Sequence, residues 1–317
     1  MKMKNIFNIL SVLLGGVLVL ASCHREDILD TNLPDEESRP IEFSSVYASV
    51  DTKTETGAEN IPASFKVWAS RTANSTTNYN VFGQTGTLVT NAGTATSQKW
   101  TYSPVRYWQS GEYNFVAVTP VDLISSGTLT ANGLELNFGS WNLSSEIDGL
   151  LARADVSGEV VPLSFGHMLS KISFSAKNVT NIPIEITSVK IKGYHKDAAS
   201  VMLSDSRAAW TFNDAPSTVG QEIGLSDAVT LGKTPVKVTS DFLVFSEDCE
   251  LTIEVTIRHD SAAGGYSKSA TITATGWESG LQYDYVINVG PDGISFSEPT
   301  VDAWKDNGDT ADDGIDF

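Results

Sequence analysis

The sequence predicts an all-β protein of the sandwich type, and three observations support that prediction. Several segments alternate apolar and polar residues, as in "KISFSAKNV", where Ile172, Phe174 and Ala176 share one face. A period of two is what a half-buried antiparallel strand requires. Ser, Thr, Val and Ile are abundant, glycine-containing turns recur, and no long segment carries a helical stripe. A chain of 317 residues that is 41% hydrophobic can bury a sizeable core.

The same alternation predicts three further strands. They are "EYNFVAVTP" (112–120), "LTIEVTIRH" (251–259) and "LQYDYVINV" (281–289). Segments 71–98 and 213–235 are rich in Ser, Thr, Gly and Asn, and we expect them to be long loops. Composition places a first domain over residues 41–157, a second over 158–307 and an acidic tail over 308–317.

The N-terminus predicts export. Residues 1–22 combine Lys2 and Lys4 with an apolar run, 9–20, that is short for a membrane span. Leu20-Ala21-Ser22-Cys23 resembles the lipobox of bacterial lipoproteins, which implies that Cys23 is acylated and anchored to the outer membrane. The alternative is an ordinary signal peptide followed by a coincidental cysteine.

Residues 23–40 are predicted to form a lipidated tether, because they are acid-rich, hold two prolines and lack periodicity. His24-Arg25-Glu26-Asp27 resembles the signal that sends some Bacteroidetes lipoproteins to the cell surface. The alternative interpretation of these four residues is a solvated part of the tether.

The sequence offers no set of catalytic or metal-binding residues, so we predict no enzyme, no cofactor and no metal. His24, His167, His195 and His259 have no short mutual spacing, and the usual nucleophile, phosphate and dinucleotide motifs are missing. Cys249 lies in a predicted strand and is expected to be a buried structural thiol. A formal net charge of -18 argues against a nucleic-acid partner, since phosphates repel such a surface.

The seven tryptophans allow two interpretations. Most sit beside alternating strands, where packing in the core is the default role. Exposed tryptophans would instead stack on sugar rings. A surface lipoprotein that binds glycans is therefore the alternative function.

Four segments together resemble the Bacteroidetes fimbrillin-like family, the subunits of type V pili. They are "FKVWA" (65–69), "WTYSPVRYWQSGEYNFVAVTP" (100–120), "LLARADVSGEVVPLSFGHMLSKISFSAKN" (150–178) and "GWESGLQYDYVINVGPDGISFSEPTVDAW" (276–304). The resemblance implies two transthyretin-like antiparallel β-sandwich domains in tandem and a surface-exposed lipoprotein. It also implies assembly into a pilus (fimbrium) with other subunits: a protease removes the first strand, and a strand from another subunit takes its place. The adhesive ligand on host or bacterial surfaces is not indicated.

The segment "IEFSSVYASV" (41–50) is the expected first, displaceable strand. Ile41, Phe43, Val46, Tyr47 and Val50 are its apolar residues. At the border of a sheet, its removal would expose unpaired backbone groups and an apolar trough, which a replacement strand would cover.

Lys53 and Arg71 are the candidate processing positions, because they are the basic residues that follow this strand outside the next one. Arg39 precedes the strand but is followed by Pro40, which makes a poor bond for trypsin-like proteases. Stalk subunits of the family carry Arg at the cleavage position, and here Lys53 would take its place.

Two further expectations concern the second half of the chain. After Trp304 the sequence "KDNGDTADDGIDF" holds few apolar residues, which favours a tip or accessory subunit over a stalk subunit. An anchor subunit that keeps its lipid is the other possibility. His167 and Lys171 fall on an F-x-H-x-L-S-K pattern. We expect His167 to pack at the domain junction and bond to backbone, the alternative being a polar site.

Overall fold

The structure, a computed structural model, is nearly all β. It describes residues 39–48, 62–94, 97–204, 208–223, 227–259, 266–274, 277–290 and 293–304. Two short 3-10 helices, Val121–Leu123 and Leu143–Ser145, accompany the strands. No helix within these ranges has the length and apolar character needed to cross a membrane. The all-β prediction is confirmed.

The described residues form 23 strands. The first twelve are β1 (Phe43–Ala48), β2 (Ser64–Ala73), β3 (Thr76–Asn78), β4 (Thr87–Asn91), β5 (Trp100–Thr101), β6 (Glu112–Thr119), β7 (Ser126–Thr130), β8 (Gly133–Asn142), β9 (Leu150–Val156), β10 (Val161–His167), β11 (Leu169–Asn178) and β12 (Ile184–Lys192). The others are β13 (Asp197–Leu203), β14 (Ala208–Phe212), β15 (Gln221–Glu222), β16 (Val229–Leu231), β17 (Val236–Lys237), β18 (Phe242–Phe245), β19 (Cys249–His259), β20 (Tyr266–Ala274), β21 (Leu281–Val289), β22 (Ile294–Phe296) and β23 (Thr300–Ala303).

These strands build four sheets. The eight-stranded sheet has the order β1-β10-β9-β6-β2-β4-β5, with β3 paired to β2, and the four-stranded sheet has the order β14-β13-β8-β7. The six-stranded sheet has the order β17-β11-β21-β22, with β18 on β11 and β23 on β21. The five-stranded sheet has the order β15-β12-β19-β20, with β16 on β12.

The eight-stranded sheet buries both of its faces. One face carries a core rich in aromatic residues, including Phe43, Phe65 and Phe115. The other face packs on the four-stranded sheet through Trp68 and Trp141, which are at most 1% exposed. Successive residues of a strand point to opposite faces, so the consecutive buried residues Val67, Trp68 and Ala69 of β2 contribute to both cores.

The six-stranded and five-stranded sheets enclose a second core between them. The four apolar residues predicted to share a face of "LTIEVTIRH" are fully buried there, as are Ile172, Phe174 and Ala176 of β11. The four strands predicted by alternation are therefore observed, as β6, β11, β19 and β21. Two packed pairs of sheets are what the sandwich prediction requires. That the pairs are two separate domains stays a prediction.

The predicted boundary between residues 157 and 158 does not separate the sheets. It falls between β9 and β10, which pair with each other in the eight-stranded sheet. The chain instead leaves that sheet at Met168, the single residue between β10 and β11. The hairpin β13–β14 then returns to the first sheet pair, because β13 pairs with β8 along most of its length. The division of the chain between the two sheet pairs is thus determined by backbone pairing. Amino-acid composition contains no information about that pairing.

The loop prediction for 71–98 is wrong, because β3, β4 and the end of β2 lie within it. These strands are polar and partly exposed, so the segment lacks the apolar alternation that predicts strands. Segment 213–235 contains only the short β15 and β16 and is closer to the prediction.

We expect Gly127→Ala to destabilise the protein by about 1–3 kcal/mol, because a methyl group there would overpack the core. A Cβ at residue 127 would lie 2.5 Å from Cζ2 of Trp68 and 2.9 Å from Cδ2 of Leu136, both fully buried. Urea unfolding would measure the change.

Gly166→Ala is the matched control, since a Cβ there meets nothing within 4 Å. Equal losses of stability in the two variants would contradict the packing described for Trp68.

Candidate functional site

The strand β1 lies at the edge of the eight-stranded sheet. It runs parallel to β10, with Phe43 opposite Val161 and Ala48 opposite Phe165. The register shifts once between Ser44 and Tyr47. Among the described strands, β10 is the only one that pairs with β1. An edge strand can leave a sheet without breaking any ladder other than its own.

The residues around the start of β1 lie in a slot between two other segments. On one side, the Ile41 amide donates to the Arg106 carbonyl over 2.8 Å, and the Trp108 amide donates to the Arg39 carbonyl over 2.9 Å. On the other side, the Val161 amide donates to the Glu42 carbonyl over 2.8 Å. The backbone of 39–42 is therefore hydrogen-bonded on both sides.

The phenol of Tyr102 closes the slot. Its hydroxyl donates to the Ile41 carbonyl over 2.7 Å. Burial is the main cause that raises the pKa of Tyr102 above its ordinary value of 10.0. The hydroxyl thus stays protonated and can donate at physiological pH.

Phe43 is the anchor of β1. Its ring lies 5.4 to 6.3 Å, centre to centre, from four other rings, those of Phe65, Phe82, Tyr102 and Phe115. Phe43 is 7% exposed and Ile41 is 1% exposed. Loss of a buried Phe side chain costs about 3–5 kcal/mol. Ile41 and Phe43, at alternate positions, are therefore both packed into the body.

The predicted members of the displaceable strand lie as follows. Ile41 directly precedes β1, Phe43 opens it, and both are buried. Val46 and Tyr47 belong to β1 by their backbone. Val50, Cys23 and Lys53 lie outside the described residues.

Arg71 lies inside β2 and not in a loop. Its backbone is opposite Asn78 of β3 on one side and Tyr113 of β6 on the other. Its Nη1 donates to the Ser110 carbonyl over 3.0 Å. Proteases prefer exposed loop tips, so a strand paired on both sides is a poor substrate.

The structure brings together residues that the sequence analysis treated separately. The His167 ring stacks on the Trp304 ring, with centres 3.7 Å apart and planes 5° apart. The Lys171 Nζ lies 4.3 Å from the centre of the same indole. His167 is packed where β10 meets β11, as expected, but its Nδ1 contacts a carboxylate oxygen of Asp148 and not backbone. We call these four residues the Trp304 cluster.

The Trp304 cluster holds the last described strand in place. All four side chains of β23 are exposed, and its backbone pairs with β21. Trp304 follows directly, and its amide donates to the Gly280 carbonyl over 2.8 Å. The indole is thus the side chain that attaches this end to the body. Asp148 was missed because it lies in a loop without a recognisable pattern.

His195 contributes to a second, structural arrangement. Its ring stacks on Phe212 with centres 3.9 Å apart, and its Nδ1 lies 3.0 Å from the Asp214 carbonyl. Burial raises the pKa of Glu247, and the neighbouring His195 partly opposes that rise. These residues connect three turns of the fold. The side chain of His259 is not described.

The histidine, cysteine and acidic side chains of the described residues are spread over separate small arrangements. Asp148 and His167 form a dyad, but His167 Nε2 has no hydrogen-bond partner, so no serine or cysteine is engaged by it. No group of three or more His, Cys, Asp or Glu side chains in this part of the chain could hold a metal ion. Cys249 is half-buried and free.

Comparisons with known proteins relate the chain to pilus proteins. A family model described as fimbrillin-like matches residues 50–304. The solved structure of a fimbrial protein from Bacteroides vulgatus has a TM-score of 0.54 and 16% identity, over 84% of this chain and 100% of that one. A C-terminally truncated tip fimbrial protein, Mfa3, from Porphyromonas gingivalis has a TM-score of 0.41 and 10% identity, over 77% of this chain and 94% of that one. No curated protein matches the chain.

We expect Trp304→Ala to speed amide hydrogen exchange across β23 by about tenfold or more, because the strand loses its one anchoring ring. Exchange measured by mass spectrometry would test this. Val301→Ala is the control, since Val301 is 47% exposed in the same strand. Equal exchange in both variants would mean that the ladder to β21 alone holds the strand.

We expect the folded protein to resist alkylation at Cys249. Burial, followed by the charges of Glu247 and Asp248, raises the pKa of this thiol to about 12. At pH 8 the reactive thiolate is then on the order of a thousandfold rarer than in the unfolded chain. Iodoacetamide labelling of the Cys249 peptide, with and without urea, measures the ratio. Similar rates in both states would contradict the burial.

Proposed function

The chain belongs to the fimbrillin-like family and is a fimbrial subunit, and from that premise we propose that it joins other subunits by strand exchange at the slot of β1. In this proposal a protease cuts the chain after β1, the strand leaves, and a strand from another subunit enters. The family match begins at residue 50, after β1. The support for exchange therefore comes from the slot itself.

The observation that carries the proposal is that two buried apolar residues lie at and directly before the start of a strand at a sheet edge. Edge strands of monomeric proteins are usually short, charged or covered, because an open edge invites pairing. Here the edge position holds Ile41 and Phe43 at 1% and 7% exposure. These two side chains are thus packed into the body, although β10 is the only described strand that pairs with β1 and the remaining backbone bonds go to the segment at Arg106–Trp108.

Removal of β1 would leave an empty slot that favours binding of another strand. The rings around Phe43 would face water, and a few hundred Å² of apolar surface corresponds to several kcal/mol at ~25 cal/mol per Å². The carbonyls and amides of Arg106, Trp108 and Val161 would lose their partners from residues 39–42. A new strand that covers this apolar surface and pairs again with these backbone groups would bind by β-augmentation.

Lys53 is the processing position that fits this scheme better. It follows β1 in the chain and precedes β2, so a cut there releases β1 and leaves β2 whole. A cut at Arg71 would split β2, which pairs with β3, β4 and β6.

We propose that the subunit reaches the cell surface as a lipoprotein. Leu20-Ala21-Ser22-Cys23 supports acylation of Cys23, and the charged residues after it support surface export. Retention of the tether would keep the subunit in the outer membrane, and a cut after Lys53 would free it for the pilus.

The alternative of glycan binding through exposed tryptophans lacks its platform among the described residues, although the aromatic side chain of Tyr107 is 51% exposed. Within the described residues every tryptophan is buried or half-buried, and none is exposed. The family and the fold indicate a structural protein.

We expect the chain cut after Lys53 to bind a fluorescent peptide of residues 39–50, and the uncut chain to ignore it. A peptide with Ala at the Phe43 position should bind about a hundredfold more weakly or worse, since the lost ring corresponds to about 3 kcal/mol. Fluorescence anisotropy measures both affinities.

Lys53→Gln is the control for the cut, because it should keep β1 covalently attached under the same protease treatment. If the cut chain remains a stable monomer that binds neither peptide, strand exchange at this slot is wrong.

A further inference from the structure

The outer side of the slot is exposed and mostly apolar. Side chains alternate along its three segments, so the buried residues of each segment have exposed neighbours that point outward. Among these, Tyr107, Val105 and Val160 are 51%, 48% and 44% exposed. We call this surface the slot face, and its exposed residues are Pro40, Glu42, Val105, Tyr107, Val160 and Pro162.

Glu42 lies in the middle of the slot face. The antiparallel bridge of Pro40 to Tyr107 and the parallel ladder of β1 to β10 set the registers of the three segments. Both registers place a valine beside Glu42, with Val105 on one side and Val160 on the other. The arginines of these segments are half-buried and stand at the alternate positions, between the outward residues. The slot face is therefore an apolar surface with a carboxylate at its centre.

A second exposed apolar surface lies at the turn between β11 and β12. Val179 and Ile182 of that turn are 52% and 50% exposed. The turn between β16 and β17 lies beside it, because the Asn178 amide donates to the Gly232 carbonyl over 2.8 Å. We call the surface of these two turns and the start of β17 the turn patch, and its exposed apolar residues are Val179, Ile182, Pro183, Pro235 and Val236.

Lys233 adds a positive charge to the turn patch. Its Nζ donates to the Thr180 carbonyl and lies 3.4 Å from Oδ1 of Asn181, so the ammonium group is held between the two turns. The neighbouring Lys237 pairs with Asp241, which balances its charge. The turn patch is therefore an apolar surface with a cation, whereas the slot face is an apolar surface with an anion.

The two surfaces lie at opposite ends of one stretch of chain. Val160 directly precedes β10, Val179 directly follows β11, and only Met168 separates the two strands. Because β10 and β11 belong to different sheet pairs, each pair carries one of the surfaces. Both surfaces are exposed in the single chain, so within one molecule neither covers the other.

We propose that copies of this chain associate head to tail, with the turn patch of one copy on the slot face of the next. Apolar side chains would be buried on both sides, and Lys233 would face Glu42. Neighbouring exposed apolar residues mark interaction surfaces, and opposite charges across a contact fix its register. A contact between two different surfaces of the same chain is heterologous, so it continues from copy to copy into a filament or a ring.

The head-to-tail contact is independent of strand exchange. It needs neither a cut nor a donated strand, since the slot face is complete in the uncut chain. A cut after Lys53 would instead release Pro40 and Glu42 together with β1 and remove the centre of the slot face. The uncut chain is therefore the protein to test, and failure of either proposal leaves the other standing.

Sedimentation equilibrium of the uncut chain tests the association. A contact of so few residues is weak, so we expect the mean mass to rise between about 10 µM and 1 mM. Tyr107→Ala should weaken association by about tenfold, because a large exposed ring is removed from the slot face. Val301→Ala is the matched control, since Val301 is 47% exposed and lies outside both surfaces. A chain that stays monomeric over this range, or equal losses in the two variants, would overturn the proposal.

Charge reversal shows which surfaces meet. Glu42→Lys and Lys233→Glu should each weaken association by about tenfold or more, and the double variant should recover most of the loss, since the exchanged charges attract again. Glu135→Lys and Lys99→Glu make the same changes of charge at exposed positions outside both surfaces, and association should stay unchanged in them.

Lys233→Gln serves if Lys233→Glu does not fold, because its side chain keeps a donor for the Thr180 carbonyl. If only one of the two single reversals weakens association, two like surfaces meet and the head-to-tail arrangement is wrong. A folded double variant without recovery would mean that Glu42 and Lys233 do not face each other, which also overturns the proposal.

Discussion

The burial of Phe43 among four aromatic rings is the contact on which the first sheet pair depends. Phe65 and Phe115 belong to β2 and β6, strands that are paired on both sides within the eight-stranded sheet. Their ladders fix these rings, so the neighbours cannot collapse to fill the space if Phe43 leaves. When a side chain is lost from a closely packed interior, a cavity remains, because the neighbouring side chains relax only partly. The space around Phe43 is therefore filled only while an aromatic side chain of that size occupies it.

The slot is connected to the rest of the molecule through β10. This strand pairs with β1 along one edge and ends at His167, which joins Asp148 and Trp304. Only Met168 separates its end from the start of β11, which lies in the six-stranded sheet. The ladder between β8 and β13 joins residues from both halves of the chain a second time. The direct backbone connection from the edge strand to the second core therefore runs through β10 and β11, while the β8–β13 ladder lies within the first sheet pair.

Alternation in the sequence predicts the strands whose faces differ most. β19 and β21 bury one face and leave the other half-exposed, so period two is readable from their residues. β3 and β4 were missed because their residues are mostly Thr and Asn and lie near an edge. The edge position observed for β1 was expected from the apolar pattern of its segment and from its place after the tether. The parallel direction of its pairing was not predictable, because partner choice is decided by contacts distant in sequence.

The candidate sites show the same limit. Ile41 and Phe43 could be selected from their pattern alone, whereas the rings around them come from four separate segments. The pairing of His167 with Asp148 and Trp304 joins residues from β10, a loop and the end of β23. Spacing along the chain contains no trace of that arrangement. The division between the sheet pairs was misplaced because composition does not distinguish β9 from β10, although both are needed in one sheet.

The single residue between β10 and β11 has a mechanical consequence. A pull on β1 loads β10 along its own axis, because the two run parallel. Parallel neighbours resist such a pull in shear, with several hydrogen bonds strained together. Met168 is 2% exposed and provides no slack, so tension passes directly into β11 at the centre of the next sheet. The fold thus contains a short, stiff load path from one sheet pair to the other.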